Sequence, residues 1–207
     1  MTETLSSFLR AVSTELKLPV LIVLIALMAA VVVLFGTVIA EYVTERRKMK
    51  VDLPKLVDLL RKDGCDIEAC VNGSGLLKRQ KEALVELLHH PELNDTMREA
   101  LALELLEKEK FRYAKIVKVS DMIAKLGPIF GLLGTIIPLG PGIVALGGGD
   151  TLTLSQSLLT AFDTTVAGLI SAAIAMVFST IRKNWYSEYM SILEALMTCE
   201  LEVIKDA

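Results

Sequence analysis

Three long apolar runs divide the chain, and the polar positions between them recur at helical spacing. The first run, Leu18 to Ala40, is interrupted only by Pro19, Gly36 and Thr37. About 23 residues make a helix of roughly 34 Å, long enough to cross a bilayer. Its even Val, Leu and Ile character suits lipid contact. The second run begins at Gly127-Pro128 and reads GPIFGLLGTIIPLGPGIVALGGGD; the third reads LLTAFDTTVAGLISAAIAMVFST and ends at Thr180. These two carry glycines and threonines where lipid alone would call for leucine. The pattern predicts an all-α membrane protein with three transmembrane helices.

The charged stretch between the first and second runs also reads as helical. Asp52 before Pro54 and LVDLL predicts a capped start, and Asp63-Gly64 a stop. CDIEACVNGSG reads as an irregular connection with NGSG as a turn. Leu76 to Leu88 predicts a second helix, stopped before Pro91. Asn94-Asp95-Thr96 opens a third, with Thr96 and Glu99 at capping-box spacing. Met97, Leu101, Leu105, Tyr113, Ile116 and Ile123 then recur at gaps of three and four or their multiples. No strong breaker precedes Gly127-Pro128. The third helix is therefore expected to run on into the second apolar run, with Pro128 bending it rather than ending it. Beyond the third run, Trp185, Tyr189, Ile192, Leu196 and Val203 lie near one stripe and predict an amphipathic continuation over 182–204. The second and third spans thus extend into a cytoplasmic helical bundle.

Charge orients these elements. The chain has 207 residues, 53% of them apolar, and a mean hydropathy of +0.52. Soluble domains have roughly 45–50%, and the excess here sits in the three runs. Net charge is −3 and no basic stripe suggests nucleic acid. ERRKMK at 45–50 is the densest basic cluster, and Arg182-Lys183 follow the third run. Gly147 to Ser157 has neither Lys nor Arg. By the positive-inside rule, residues 1–17 are an outside segment, 18–43 the first transmembrane helix, and 44–120 a cytoplasmic helical segment. The second span is 121–146, the outside loop 147–157, the third span 158–181, and the cytoplasmic C-terminal helix 182–207. The expected location is the cell (cytoplasmic, inner) membrane. Residues 1–17 lack the basic region and cleavage site of a signal peptide. Glu41 is expected to face the headgroups.

Little in the chain suggests chemistry on a substrate. Cys65, Cys70 and Cys199 give neither a disulfide framework nor a second ligand pair for zinc. His89-His90 precede Pro91 and read as a helix end rather than a proton relay. No metal, cofactor, catalytic residue or enzyme activity is expected.

The candidate chemistry lies on the second and third spans. On a helical wheel Thr135 shares a face with Pro128, Gly131, Pro138 and Gly142. Gly127, Gly131 and Thr135 follow at intervals of four, a spacing that lets another backbone come close. Pro138 and Pro141 free carbonyls that need protein or water partners. On the third span Thr164, Thr165, Gly168, Ser171, Ala172, Ala175 and Ser179 form a small, hydroxylated sector. Val166, Ile170, Ile174, Val177 and Ile181 form the bulky one. Asp163 falls at the outer edge of the bulky sector, roughly 7–8 Å into the span from Leu158. It is open to an ion path or to an interfacial role. Membrane Ser and Thr often bond the carbonyl four residues back, so close packing and a lined path both fit the wheel.

The Gly131-Leu132-Leu133-Gly134-Thr135 and Ala161-Phe162-Asp163-Thr164-Thr165-Val166-Ala167-Gly168-Leu169 runs resemble the paired signature of the MotA/TolQ/ExbB proton channel family. The order of elements is similar too, over about residues 18–200; the motifs themselves cover roughly 125–180. The resemblance implies a ring-forming subunit. Five copies would surround a dimer of an ExbD/TolR/MotB-like single-span protein that carries an ion-binding aspartate. It places Thr135 and Thr165, with Thr164 beside them, on the ion path, and leaves Gly127, Gly131, Gly134, Gly168 and Ser171 to close helix packing. ExbB- and TolQ-like members carry a glutamate five residues before the third-span threonine. That position is Thr160 here, and Asp163, one turn inward on a neighbouring face, either replaces it or is unrelated. Pro138-Leu139-Gly140-Pro141-Gly142 is another departure, and the cytoplasmic part is short beside the flagellar stator branch. The expectation is a divergent ExbB/TolQ-like, stator-like subunit of a motor driven by H+ or Na+. The alternative is a non-conducting helical scaffold.

Overall fold

The computed structural model describes residues 4, 15–47, 49, 53–60, 67–90 and 93–206. Among them there is no strand. Helix α1 spans Lys17–Glu41 and passes into a π-helical turn, Tyr42–Arg46. Three short helices follow: α2 Leu53–Leu60, α3 Ile67–Gly73 and α4 Lys78–Leu88. Two long ones end the chain, α5 Asp95–Gly147 and α6 Thr151–Asp206. Helices α1, α5 and α6 are each long and apolar enough to cross a membrane. The chain divides into two compact units. One holds the chain up to Thr37 with Lys118–Thr180, the other Val38–Val117 with Ile181–Ala207.

In the first unit α1 buries Val20, Leu24, Leu27, Val31 and Leu34, at alternating steps of four and three. That is the seam of a helix packing at a shallow angle on its neighbours. Leu27, Val31 and Leu34 meet Ile123 of α5 and Ala175 of α6, with Phe130 and Phe178 packed against them. The Phe35 and Phe178 rings lie 5.7 Å apart. The outer faces stay apolar and uncovered: Ile22, Ile25 and Val32 on α1, Ile129, Leu132 and Ile136 on α5, Phe162, Val166 and Ile170 on α6. Such surface is unfavourable in water and at no disadvantage in lipid. Pro128, Pro138 and Pro141 all sit inside α5 without ending it.

The turn between α5 and α6 is shorter than the pattern predicts. Residues 151–157 were expected in the loop, yet α6 already begins at Thr151. Asp150 supplies the reason. The Thr153 N–H donates to its Oδ1 at 3.0 Å and the Thr153 hydroxyl to its Oδ2 at 2.5 Å. These bonds, the hydroxyl's first, hold the Asp150 carboxyl below its usual range and satisfy an open donor of the first turn. Gly149 has φ +83°, a left-handed conformation that glycine adopts without steric cost.

The second unit has a water-soluble protein's core. Leu56, Val71, Leu76, Leu84 and Leu87 pack on Leu106 of α5 and on Leu193, Leu196 and Met197 of α6. Tyr113, Val117, Tyr186 and Tyr189 form a second cluster with Trp185; the Tyr113 and Tyr186 rings stack at 4.3 Å. The stripe expected beyond the third span is this buried face.

Several local expectations change. Part of the expected connection is helix α3, because Val71, 1% exposed, anchors it in the core, and tertiary burial outweighs local propensity. Helix α4 starts at Lys78 rather than Leu76. Gln80 Oε1 accepts the Leu77 N–H at 3.1 Å, and Gln80 Nε2 donates to the Tyr189 carbonyl at 2.9 Å. Asn94, not Thr96, caps α5: its Oδ1 accepts the Met97 N–H at 2.9 Å. Glu41 does not face the headgroups. Arg182 Nε donates to its Oε2 at 3.0 Å, with the two side chains 5% and 13% exposed, Arg182 first. Pairing makes a buried carboxylate far less costly than a lone one. Asp52, Asp63-Gly64 and Cys65 lie outside the described residues.

One buried carboxyl group has no such compensation. Glu200 on α6 is 2% exposed, and neither of its carboxyl oxygens has a hydrogen-bond partner among the described residues. Burial pushes it from 4.5 to about 8. The unfolded chain therefore loses this proton above pH 4.5, while the folded chain keeps it up to about 8. Its contribution is fully present below 4.5 and is lost as pH rises through that window, at about 1.4 kcal/mol per pH unit. Glu200→Gln is expected to flatten this slope in denaturant melts of the detergent-solubilised chain. It should match the wild type near pH 4 and exceed it at pH 8; an unchanged slope would mean that Glu200 is ionised in the fold.

Candidate functional site

The hairpin of α5 and α6 in the first unit is held by backbone proximity. A methyl group on Gly168 would stand 2.5 Å from the Gly127 carbonyl oxygen and 2.8 Å from Gly131 Cα. One on Gly127 would stand 2.6 Å from the Gly168 carbonyl oxygen, and one on Gly134 2.6 Å from Thr164 Cβ. Only hydrogen fits at these points. Nearer the turn, a methyl on Gly142 would meet Ser157 Cβ at 2.8 Å. Between two apolar helices in lipid, contact of this closeness supplies the dispersion attraction that burial from water supplies elsewhere.

The threonines stand around this contact in different settings. Thr164 is 5% exposed and lies over Gly134; its hydroxyl donates to the Thr160 and Ala161 carbonyls at 3.0 Å each. Thr135 and Thr165 are half-buried. Thr135 donates to the Leu132 carbonyl at 2.7 Å, and Thr165 to the Ala161 carbonyl at 3.0 Å. Thr160, also half-buried, donates to Gln156 at 3.0 Å. Each hydroxyl thus gives its proton to its own helix and keeps its oxygen lone pairs. Ser171 is 3% exposed on the buried side of α6. Asp163 lies outside the contact, exposed among Phe162 and Val166. The structure therefore gathers Gly127, Gly131, Gly134, Thr164 and Gly168, and leaves Asp163 apart from them.

One polar contact escaped the sequence reading. The Ser179 hydroxyl of α6 donates to Asp121 Oδ1 of α5, and Ser179 is 2% exposed. Its signal was present in the spacing. Asp121 lies two heptads before Thr135, and Ser179 two heptads after Thr165.

The second unit holds a cavity of about 760 Å³, lined among others by Glu41, Glu45, Lys78, Arg79, Arg182 and Tyr186. Burial, then the nearby Glu41, raises the Glu45 carboxyl. Acids and bases balance on its wall, and Glu41 and Arg182 satisfy each other, so the cavity selects no ligand charge. Among the described residues, no cluster of His, Cys, Asp and Glu could hold a metal.

Three apolar helices, two of them joined by glycine-to-backbone contacts and bearing half-buried hydroxyls, define a membrane protein that admits polar groups between its spans. Residues 75–195 match the MotA/TolQ/ExbB proton channel family, and the chain belongs to that family. It is also 30% identical over 112 residues to the Biopolymer transport protein exbB1 of Vibrio cholerae serotype O1. That match covers 52% of this chain and 49% of the relative, so the chain spans about half the length of the curated relative it matches. The family is one of channels, not of enzymes.

Gly168→Ala is expected to destabilise the hairpin by about 1–3 kcal/mol through overpacking, despite the roughly 1 kcal/mol that alanine gains in helix propensity. Gly36→Ala, where nothing lies within 4 Å, is the control and should be neutral or stabilising. Thermal melts of both variants in detergent provide the comparison; equal stability would mean that the Gly127–Gly168 contact does not hold the spans together.

Proposed function

We propose that this chain is the ring-forming subunit of an ion-driven membrane motor. Five copies would surround a dimer of an ExbD/TolR-like single-span partner that carries the ion-binding aspartate, with H+ or Na+ as the transported ion. The N-terminus would lie outside, the second unit and the C-terminus in the cytoplasm. The observation that carries the reading is the pair Thr135 and Thr165. Both are half-buried rather than sealed in the hairpin, and both give their protons to their own helices. Their oxygens are thereby oriented as acceptors, which is what a dehydrating cation requires. Thr164, over Gly134, sets the separation of the helices on which they stand. Thr160 and Asp163 take the outer approach to this pair or the interface with a neighbouring copy.

A non-conducting scaffold is the competing reading. The same back-bonded hydroxyls and close glycine contacts support it, since both are also what helix packing alone needs. Ion flux decides between the two. In vesicles containing the full chain with its single-span partner, Thr135→Val and Thr165→Val should each cut flux by about ten- to a hundredfold. That is the range expected for a lost bond to a charged group, about 1.5–3 kcal/mol. Subunit stoichiometry, counted by imaging the purified complex, should not change. A wild-type complex that carries neither ion supports the scaffold.

A further inference from the structure

A second polar pair repeats the arrangement of the first at the other end of the hairpin. Asp121 and Thr135 stand on one face of α5 two heptads apart, and Ser179 and Thr165 on one face of α6 two heptads apart. The helices are antiparallel, joined by the turn at Gly148–Asp150. The register that brings Ser179 to Asp121 therefore brings Thr165 level with Thr135. The two levels lie about 21 Å apart along the spans, most of the hydrocarbon thickness.

Its inner level differs from the outer in holding a carboxylate. A carboxylate at a bilayer span is costly unless it faces protein or a polar path, and Asp121 turns toward α6, where Ser179 is 2% exposed. Ser120, next to it on α5, is fully buried, and its Oγ has no hydrogen-bond partner among the described residues. An unsatisfied buried hydroxyl calls for a water or an ion to complete it.

We infer that Asp121, with Ser179, is the inner transfer station of the ion path, where the travelling cation pauses before reaching cytoplasmic water. The inference rests on the reading of the chain as an ion-conducting subunit. A proton arriving there adds to the Asp121 carboxylate and leaves from it to cytoplasmic water; a sodium ion takes the same carboxylate and the Ser179 oxygen as ligands. Threonine oxygens can only solvate a cation. This carboxylate neutralises one, and it is carried by the chain itself.

The alternative role for the pair is a clasp between α5 and α6, and two substitutions separate the roles. Asp121→Asn keeps an oxygen to accept from Ser179 and removes the charge. Ser179→Ala keeps the charge and removes the clasp. The full chain, co-purified with its single-span partner, is reconstituted into vesicles. Inward H+ movement is followed with a pH-sensitive dye and Na+ with radioactive sodium. Asp121→Asn should lower the flux of the transported ion about tenfold or more with the complex intact, and Asp121→Glu should restore much of it. Ser179→Ala should have the smaller effect. Flux preserved in Asp121→Asn alongside loss of assembly in Ser179→Ala overturns the assignment and leaves a clasp. If wild-type flux is lost in Thr165→Val but survives in Asp121→Asn, only the inner station falls. If the wild-type complex carries neither ion, the inner station falls together with the ion-conducting reading.

Discussion

The approach of α5 to α6 at Gly127, Gly131 and Gly168 is the constraint from which the membrane unit follows. In lipid there is no water to expel from between two apolar helices, so their association depends on how closely backbones can come. Hydrogens in place of methyl groups at Gly127 and Gly168 allow that approach, Gly168 lying against the Gly131 backbone. The contact also fixes register. With the turn pinned by Asp150 and Gly149, a slip of one residue on either helix would drive a side chain into the space now occupied by hydrogen. Every level of the hairpin is thereby set at once: Ser157 on Gly142, Thr164 on Gly134, Ser179 on Asp121.

The second unit is held together by side-chain burial rather than by backbone proximity. Its helices bury leucines, tyrosines and the Gln80 amide, and its charges are placed where a partner can reach them. Glu41 meets Arg182, and Arg46 meets Glu188 at 2.5 Å in a more exposed setting, where a pair contributes about 0–1 kcal/mol. Glu200 breaks the pattern, buried with no hydrogen-bond partner among the described residues. An apolar residue of that volume would be more stable there, and its presence has no structural explanation.

What the sequence made legible follows from periodicity. The three spans, the small and bulky sectors of α6 and the stripe from Trp185 to Val203 all repeat over several turns, and all appear as buried or exposed faces. Features that rest on one contact were not visible. Helix α3 exists because Val71 finds a core, and 151–157 is helical because Asp150 caps it. Glu41 and Arg182 pair across most of the chain, beyond the reach of any local pattern. Asp121 fell between the two cases. Its heptad relation to Thr135 was readable, but at the edge of a span an aspartate reads as an ordinary interfacial charge until Ser179 is seen against it.

On the proposed ion-driven reading, the distribution of oxygens bears on how labour would be divided between this chain and a partner. Hydroxyls that have donated to their own helix present lone pairs but no net charge, and a cation among them still bears most of its desolvation penalty. Somewhere along the spans a carboxylate must stand opposite. Asp163 lies on the exposed, lipid-suited face with Phe162 and Val166, which separates it from Thr164 at the hairpin contact. Asp121 is separated from the Thr135 level by about 21 Å, too far to neutralise a cation held there at any useful strength. On the ion-conducting reading, the back-bonded hydroxyls of Thr135 and Thr165 offer solvation without neutralisation, and the proposed partner's carboxylate would supply the compensating charge at their level. In the proposed motor, a subunit that bound its ion only when a partner's carboxylate came past would make ion entry conditional on the partner's position, and that conditionality would couple ion flow to movement.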